Sequence, residues 1–248
     1  MFRENETPNF TELYREYSVI YDNIENTLIS RIENYNIDDL ESLRTEFNYF
    51  DVKLRLSFAI NDIVLNTEFS PEKSGDLKLC HLMLYKFNDL WFAYEAFKKL
   101  YNKINTKKIQ SLTIWLSQNT NREYSEIRQI QTAVERANTK LREKFNNEEN
   151  LSKLKRYIRY CERESKNGQK TRLNKILEKF NGRNNLEQLN ITDLLTLSYS
   201  IRNNFVHNGE TTITTPELDY SKKKDLIVVL YELLSIICLS SIKKMING

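Results

Sequence analysis

Leu77 to Ile104 reads LKLCHLMLYKFNDLWFAYEAFKKLYNKI, and its apolar side chains occupy most of a helical circumference. A helix that is apolar on nearly every side needs partners on several sides, so this stretch predicts a central helix within an α-helical core. Outward from it the periodicity stays helical. Leu13, Tyr17, Ile20, Ile24, Leu28 and Ile32 recur every three or four residues and form one amphipathic face. Asp38-Asp39 open a second run through Leu40, Leu43, Phe47, Phe50, Leu54 and Phe58 to about Leu65, acids that suit the positive end of a helix dipole. Ser70-Pro71-Glu72-Lys73-Ser74-Gly75-Asp76 is a turn-rich break before the central helix.

Beyond Ile104 the pattern predicts a short helix around Ile109–Leu116, a long one from about Glu123 to Phe145, one from Leu151 to about Ser165, and one from about Lys170 to Phe180. Asn190-Ile191-Thr192-Asp193 reads as a helix start, and Gly209 lies just past the end of that helix. Thr211 to Tyr220 reads as a loop, followed by a last helix from Ser221 to about Met245. No repeat and no alternating strand pattern is present. The class is all-α: one helical domain over residues 1–248, with a core at about 10–105 and 190–246 and a helical arm inserted at about 106–189. The polar run Asn146–Asn150 fits an inter-helix loop as well as a boundary.

Composition narrows the function classes. Of 248 residues, 40% are hydrophobic and 11% aromatic, enough apolar surface for a core. With 5 Gly and 3 Pro the chain lacks both glycine-rich phosphate-loop motifs. Two histidines and three scattered cysteines (Cys80, Cys161, Cys238) are too few soft ligands for a structural zinc site, so no metal and no cofactor are expected. Sparse cysteines and a polar start suit a cytoplasmic protein. Leu226–Ile242 is apolar enough to raise the question of a membrane, but it is short for a span of ~20 residues and carries Glu232 at its centre. It is read as a core or dimer-interface helix.

The formal net charge of +3 conceals an uneven distribution. Lys153–Arg183 holds eleven basic residues and three acids, a net +8 that leaves −5 on the remainder. Leu151, Leu154, Ile158 and Cys161 can pack inward, leaving Lys155, Arg159 and Lys166 on one outward face and Arg156 and Arg163 on the next. Tyr157 and Tyr160 stand among these cations, where a ring could stack on a base. The stretch has two readings: a footprint for a nucleic-acid backbone using Lys155, Arg156, Arg159 and Arg163, or a solvated helix face.

The two histidines differ in setting. His81 sits in the apolar central helix between Cys80 and Leu82, as a core histidine would. His207 closes Arg202-Asn203-Asn204-Phe205-Val206-His207, in which Leu194, Ile201 and Phe205 share an inward face and Asn203 and His207 are i,i+4 neighbours. One helix end therefore presents a guanidinium, an amide and an imidazole together.

This segment resembles the signature of the HEPN family, an Arg followed by a polar residue, a short run and a His. Phe87–Phe97 is similar to the aromatic, small-residue helix that precedes the motif helix in many members. The resemblance implies a helical bundle of HEPN type carrying an inserted basic arm. It also implies a metal-independent endoribonuclease, acting as a homodimer on single-stranded RNA or a tRNA loop, in the setting of a toxin or antiviral defence effector. Its catalytic residues would be Arg202, His207 and Asn203. Tyr199, one turn before Asn203, and Glu95 on the central helix are candidates for supporting them. One position departs: members paired with nucleotidyltransferase antitoxins place a Tyr two residues after the His, where this chain has Gly209.

Metal-free RNA cleavage needs a group to take the 2′-hydroxyl proton and a cation for the phosphorane, roles that an imidazole and a guanidinium fill. An inhibitor or activator protein would restrain such an enzyme. The other reading is a non-catalytic helical module that binds RNA, a nucleotide or a partner protein. A third is a structural helical protein whose last helix dimerises or meets a membrane.

Overall fold

The first described helix, Ile37–Ala59 (α1), stops six residues before the periodicity suggests. The computed structural model describes residues 37–66, 75–104, 108–109, 125–181, 185–207 and 217–247, with Arg15, Tyr17 and Tyr21. Helix accounts for 84% of them, which makes the class all-α. The amphipathic run at 13–32, the short helix at 109–116, Gly209 and most of the 211–220 loop lie outside the described residues, apart from Tyr17, Tyr21, Ile109 and 217–220. The remaining helices are α2 (Asp76–Ile104), α3 (Ser125–Lys144), α4 (Glu148–Glu164), α5 (Asn167–Glu178), α6 (Ile191–His207) and α7 (Tyr220–Asn247).

Backbone contacts divide the chain into two units. The first comprises Met1–Ala59, Asp89–Gln131 and Leu234–Gly248, and the second Ile60–Asn88 and Thr132–Leu233. In the first, Leu43, Phe47, Phe50 and Leu54 of α1 are buried, as are Leu90, Tyr94, Phe97 and Leu100 of α2. The buried Asp51 carboxylate accepts from the Tyr17 hydroxyl at 2.8 Å and from Arg55 Nε at 2.9 Å, so its charge is compensated where water is scarce. Desolvation, followed by that carboxylate, raises the Tyr17 phenol above its usual range. Along its other side α1 leaves Tyr49, Val52 and Leu56 exposed.

In the second unit, a residue distant in sequence holds the chain just past the end of α1. Lys86 Nζ donates to the Ile60 carbonyl at 2.8 Å, taking an acceptor that a continuing helix would use, and Lys78 holds Asp62 at 2.6 Å. Asn61 and Asp62 are themselves weak helix formers. The expected helix to Leu65 is therefore corrected: residues 60–66 are non-helical.

Capping sets the register of the helices that follow. Asn147 Oδ1 accepts from the Asn150 amide at 2.9 Å, and Glu148 and Glu149 complement the dipole of α4. At α6, Asn190 Oδ1 accepts from the Asp193 amide and Asp193 Oδ2 from the Asn190 amide, each at 2.9 Å, a reciprocal cap. Lys179 lies 2.6 Å from the same carboxylate. Just upstream, the buried Asn138 of α3 clasps Leu189, donating to its carbonyl at 2.8 Å and accepting from its amide at 2.7 Å.

Between α5 and this cap, Phe180–Asn181 pairs antiparallel with Asn185–Leu186, in register Phe180 with Leu186. The helical periodicity up to Phe180 does not predict this pair, although Asn181-Gly182 is the dipeptide that favours tight hairpins.

α7 is long and apolar enough to cross a membrane by length and composition, yet 89% of its most apolar window is buried inside the fold. Glu232, at its centre, is paired with Lys140 at 2.6 Å. A paired carboxylate explains how an apolar helix carries an acid there.

Two outcomes follow. Asn138→Ala would leave both Leu189 backbone groups without their partner, and denaturant unfolding should show a loss of about 2–4 kcal/mol. Burial pushes the Lys86 ammonium down to about 8 from 10.5. The unfolded chain then binds more protons between these values, so Lys86 contributes stability as pH rises through the window. Relative to Lys86→Met, wild type should gain on the order of 1–3 kcal/mol from pH 8 to 10.5. A flat difference across that range would contradict the assignment.

Candidate active site

α6 carries buried apolar and small residues through Leu194, Leu195, Leu197, Ser198 and Ile201, and turns polar in its last two turns. Gln169 of α5 fixes its middle, donating to the Thr196 carbonyl at 2.9 Å and the Ser200 hydroxyl at 2.6 Å. Asn204 is the last buried residue of the helix and donates to Cys161 Sγ of α4 at 3.4 Å. Phe205, expected on the inward face, is only half-buried. Its place inside is taken by Asn204, three residues after Ile201, and its ring meets Tyr85 of α2 edge-on at 5.8 Å.

Arg202, Asn203 and His207 converge. Arg202 Nη1 donates to Asn203 Oδ1 at 2.9 Å and lies 3.0 Å from His207 Nε2. A guanidinium only donates, so Nε2 accepts and carries the lone pair, which places the imidazole proton on Nδ1. Arg202 and Asn203 are half-buried and His207 is exposed. The carbonyl end of α6 favours the guanidinium charge there. A neutral imidazole beside a fixed cation can accept a proton next to a bound anion.

Tyr199 is half-buried on α6, in the same unit as the motif, whereas Glu95 belongs to the first unit. His81, expected in the core, is half-buried, with its ring edge-on to Tyr85 at 5.8 Å. Desolvation, and then the nearby Lys223, hold its imidazole below the usual range.

The cations of α4 line an open groove of about 840 Å³ facing α5. Lys155, Arg156, Arg159 and Arg163 contribute to it, as do Asn174, Leu177 and three acids, Glu162, Glu178 and Glu217. The sequence count already includes Glu162 and Glu178 but omits Glu217 and the acids flanking the stretch, so it overstates the local field. Arg163 meets Glu217 at 3.5 Å, Lys170 meets Glu162 at 3.2 Å, and Lys153 meets both Glu149 and Asp219. Lys155 lies 5.7 Å from the Phe180 ring centroid.

Tyr157 needs correction as a stacking ring. It is 1% exposed, lies on the buried stripe with Leu154 and Cys161, and has Lys223 Nζ 5.9 Å from its ring centroid. Its three-residue spacing from Leu154 was the signal for an inward position. Tyr160 is half-buried and stacks on Tyr157 at 6.2 Å.

The ring of Tyr85, beside the motif, was not singled out by sequence, and Phe205 was expected only as an inward residue. They come from helices more than a hundred residues apart, and only the packing of α6 on α2 joins them. Comparison of the chain with protein-family models, curated proteins and solved structures gives no match.

The Arg202 contact sets an expectation for His207. In solution, nitrogen NMR of the neutral imidazole should show the Nδ1–H tautomer. Arg202→Ala should speed carbethoxylation of His207 several-fold by uncovering Nε2, and an unchanged rate would contradict the contact.

Proposed function

We propose that this chain is a metal-independent endoribonuclease of HEPN type, cutting single-stranded RNA or a tRNA loop. The observation that carries the reading is the contact of Arg202 Nη1 with both Asn203 Oδ1 and His207 Nε2 at one helix end. These are the three residues of the motif, and each has a part in the chemistry. A substrate phosphate draws the Arg202 guanidinium onto its oxygens and so exposes Nε2. His207 Nε2 then takes the 2′-hydroxyl proton as that oxygen bonds to phosphorus and the bond to the 5′-oxygen breaks. Arg202 offsets the charge that builds on the phosphorane and stays protonated throughout. Asn203 orients the guanidinium. The products are a 2′,3′-cyclic phosphate and a 5′-hydroxyl.

One helix end holds one such histidine, so the leaving oxygen receives its proton from His207 of a second copy in a composite homodimer site. The groove of Lys155, Arg156, Arg159 and Arg163 guides the RNA backbone. A toxin or defence setting, with an inhibitor or activator protein as restraint, is what the HEPN resemblance adds.

The second reading is a non-catalytic RNA-binding module, favoured by the groove itself, since Arg156 and Arg159 are exposed at its edge.

The assay uses purified protein and single-stranded RNA in EDTA. Wild type should cut, His207→Ala should lose about 10²–10⁴-fold, and Arg202→Ala about 10²–10³-fold. Cleavage at wild-type rate by both variants would sink the proposal. No cleavage, with salt-sensitive binding that weakens in Arg156→Glu/Arg159→Glu, would establish the binding module, the salt slope falling by ~1 per lost phosphate contact.

A further inference from the structure

We infer that Tyr85, braced by Phe205, is a stacking shelf for the unpaired nucleobase beside the phosphate held at Arg202 and His207. This deepens the reading above and rests on it for the location of the phosphate. Tyr85 is 45% exposed although its neighbours Leu82, Met83, Leu84 and Phe87 on α2 are buried, and Val206, next to Phe205 in the chain, is 41% exposed. Its ring is held on two sides. Phe205 meets it edge-on at 5.8 Å and 86°, and His81 meets it at 5.8 Å and 67°. A ring fixed in this way loses little freedom when a flat ligand settles on it.

Position ties the shelf to the motif. Phe205 and Val206 follow Arg202 by three and four residues, so all three share one side of α6, with ~5–6 Å between Cβ atoms. A cation for the phosphate and a ring for the neighbouring base are what single-stranded nucleic acid needs together. The patch of one tyrosine edge, part of Phe205 and one valine is small for a stable protein interface. Arg202 at its margin complements a phosphate better than it complements an apolar partner surface. A paired duplex keeps its base faces stacked inside, so the shelf selects single strands.

The test separates stacking from cleavage by using a 2′-fluoro RNA oligonucleotide carrying 2-aminopurine, which lacks the 2′-hydroxyl nucleophile. Wild type should quench the 2-aminopurine on binding. Tyr85→Ala should bind about 5- to 30-fold more weakly and lose the quench, while Tyr85→Phe keeps both. Thermal melting of the two variants should match wild type, as expected for an exposed ring.

Equal binding by Tyr85→Ala, or a failure of Tyr85→Phe to restore it, would overturn the shelf. So would loss of a dimer by Tyr85→Ala in sedimentation with binding per subunit unchanged, because a second copy would then cover the ring. A Tyr85 effect on binding in a protein that cuts no RNA would keep the shelf and remove the nuclease reading. Cleavage by Tyr85→Ala with wild-type KM and kcat would do the reverse.

Discussion

The start of α6 is the constraint on which the site depends. Asn190 and Asp193 cap each other's amides, Lys179 closes on the same carboxylate, and Asn138 clasps both backbone groups of Leu189 just upstream. A helix turns about 100° per residue, so where it begins fixes which way every later side chain points. A one-residue slip would turn Arg202 and His207 together by about 100° relative to the core and bury a charge. The polar cost of these buried amides and carboxylates is met by hydrogen bonds, so the register is held by satisfied partners as well as by apolar packing.

Apolar burial then determines which part of α6 is available for chemistry. Leu194, Leu195, Leu197 and Ile201 fill the interior, and Asn204 ends the stripe against Cys161. Around that last buried position the helix runs out of core, so Arg202, Asn203 and His207 gather at its polar end. The guanidinium there occupies the imidazole lone pair, and an anion that competes for the guanidinium uncovers it. In the function proposed for this site, substrate binding and activation of the base are one event.

Much of this was readable in the residues. The helical period gave the all-α class, and seven helices are described, several within a few residues of their expected limits. The Asn190–Asp193 start and the Arg202–His207 spacing were also visible, because caps and neighbours within a turn or two of one helix are local. Errors arose where a distant residue decided the matter. Lys86 captures the Ile60 carbonyl and ends α1 early. Tyr157, by contrast, was legible as an inward residue from its spacing on the Leu154 stripe. The +8 stretch is partly neutralised by acids such as Glu217, which lies outside it.

By itself the sequence determined periodicity, caps and the residue types of the motif, since each of these acts within a turn or two of the chain. The tertiary structure alone decided that Arg202 reaches both Asn203 and His207, that acids enter the basic groove, and that Tyr85 meets Phe205 from another helix. Side-chain rotamers, ion pairs and ring contacts depend on which elements pack together, and that depends on burying the whole apolar surface at once rather than on any one segment.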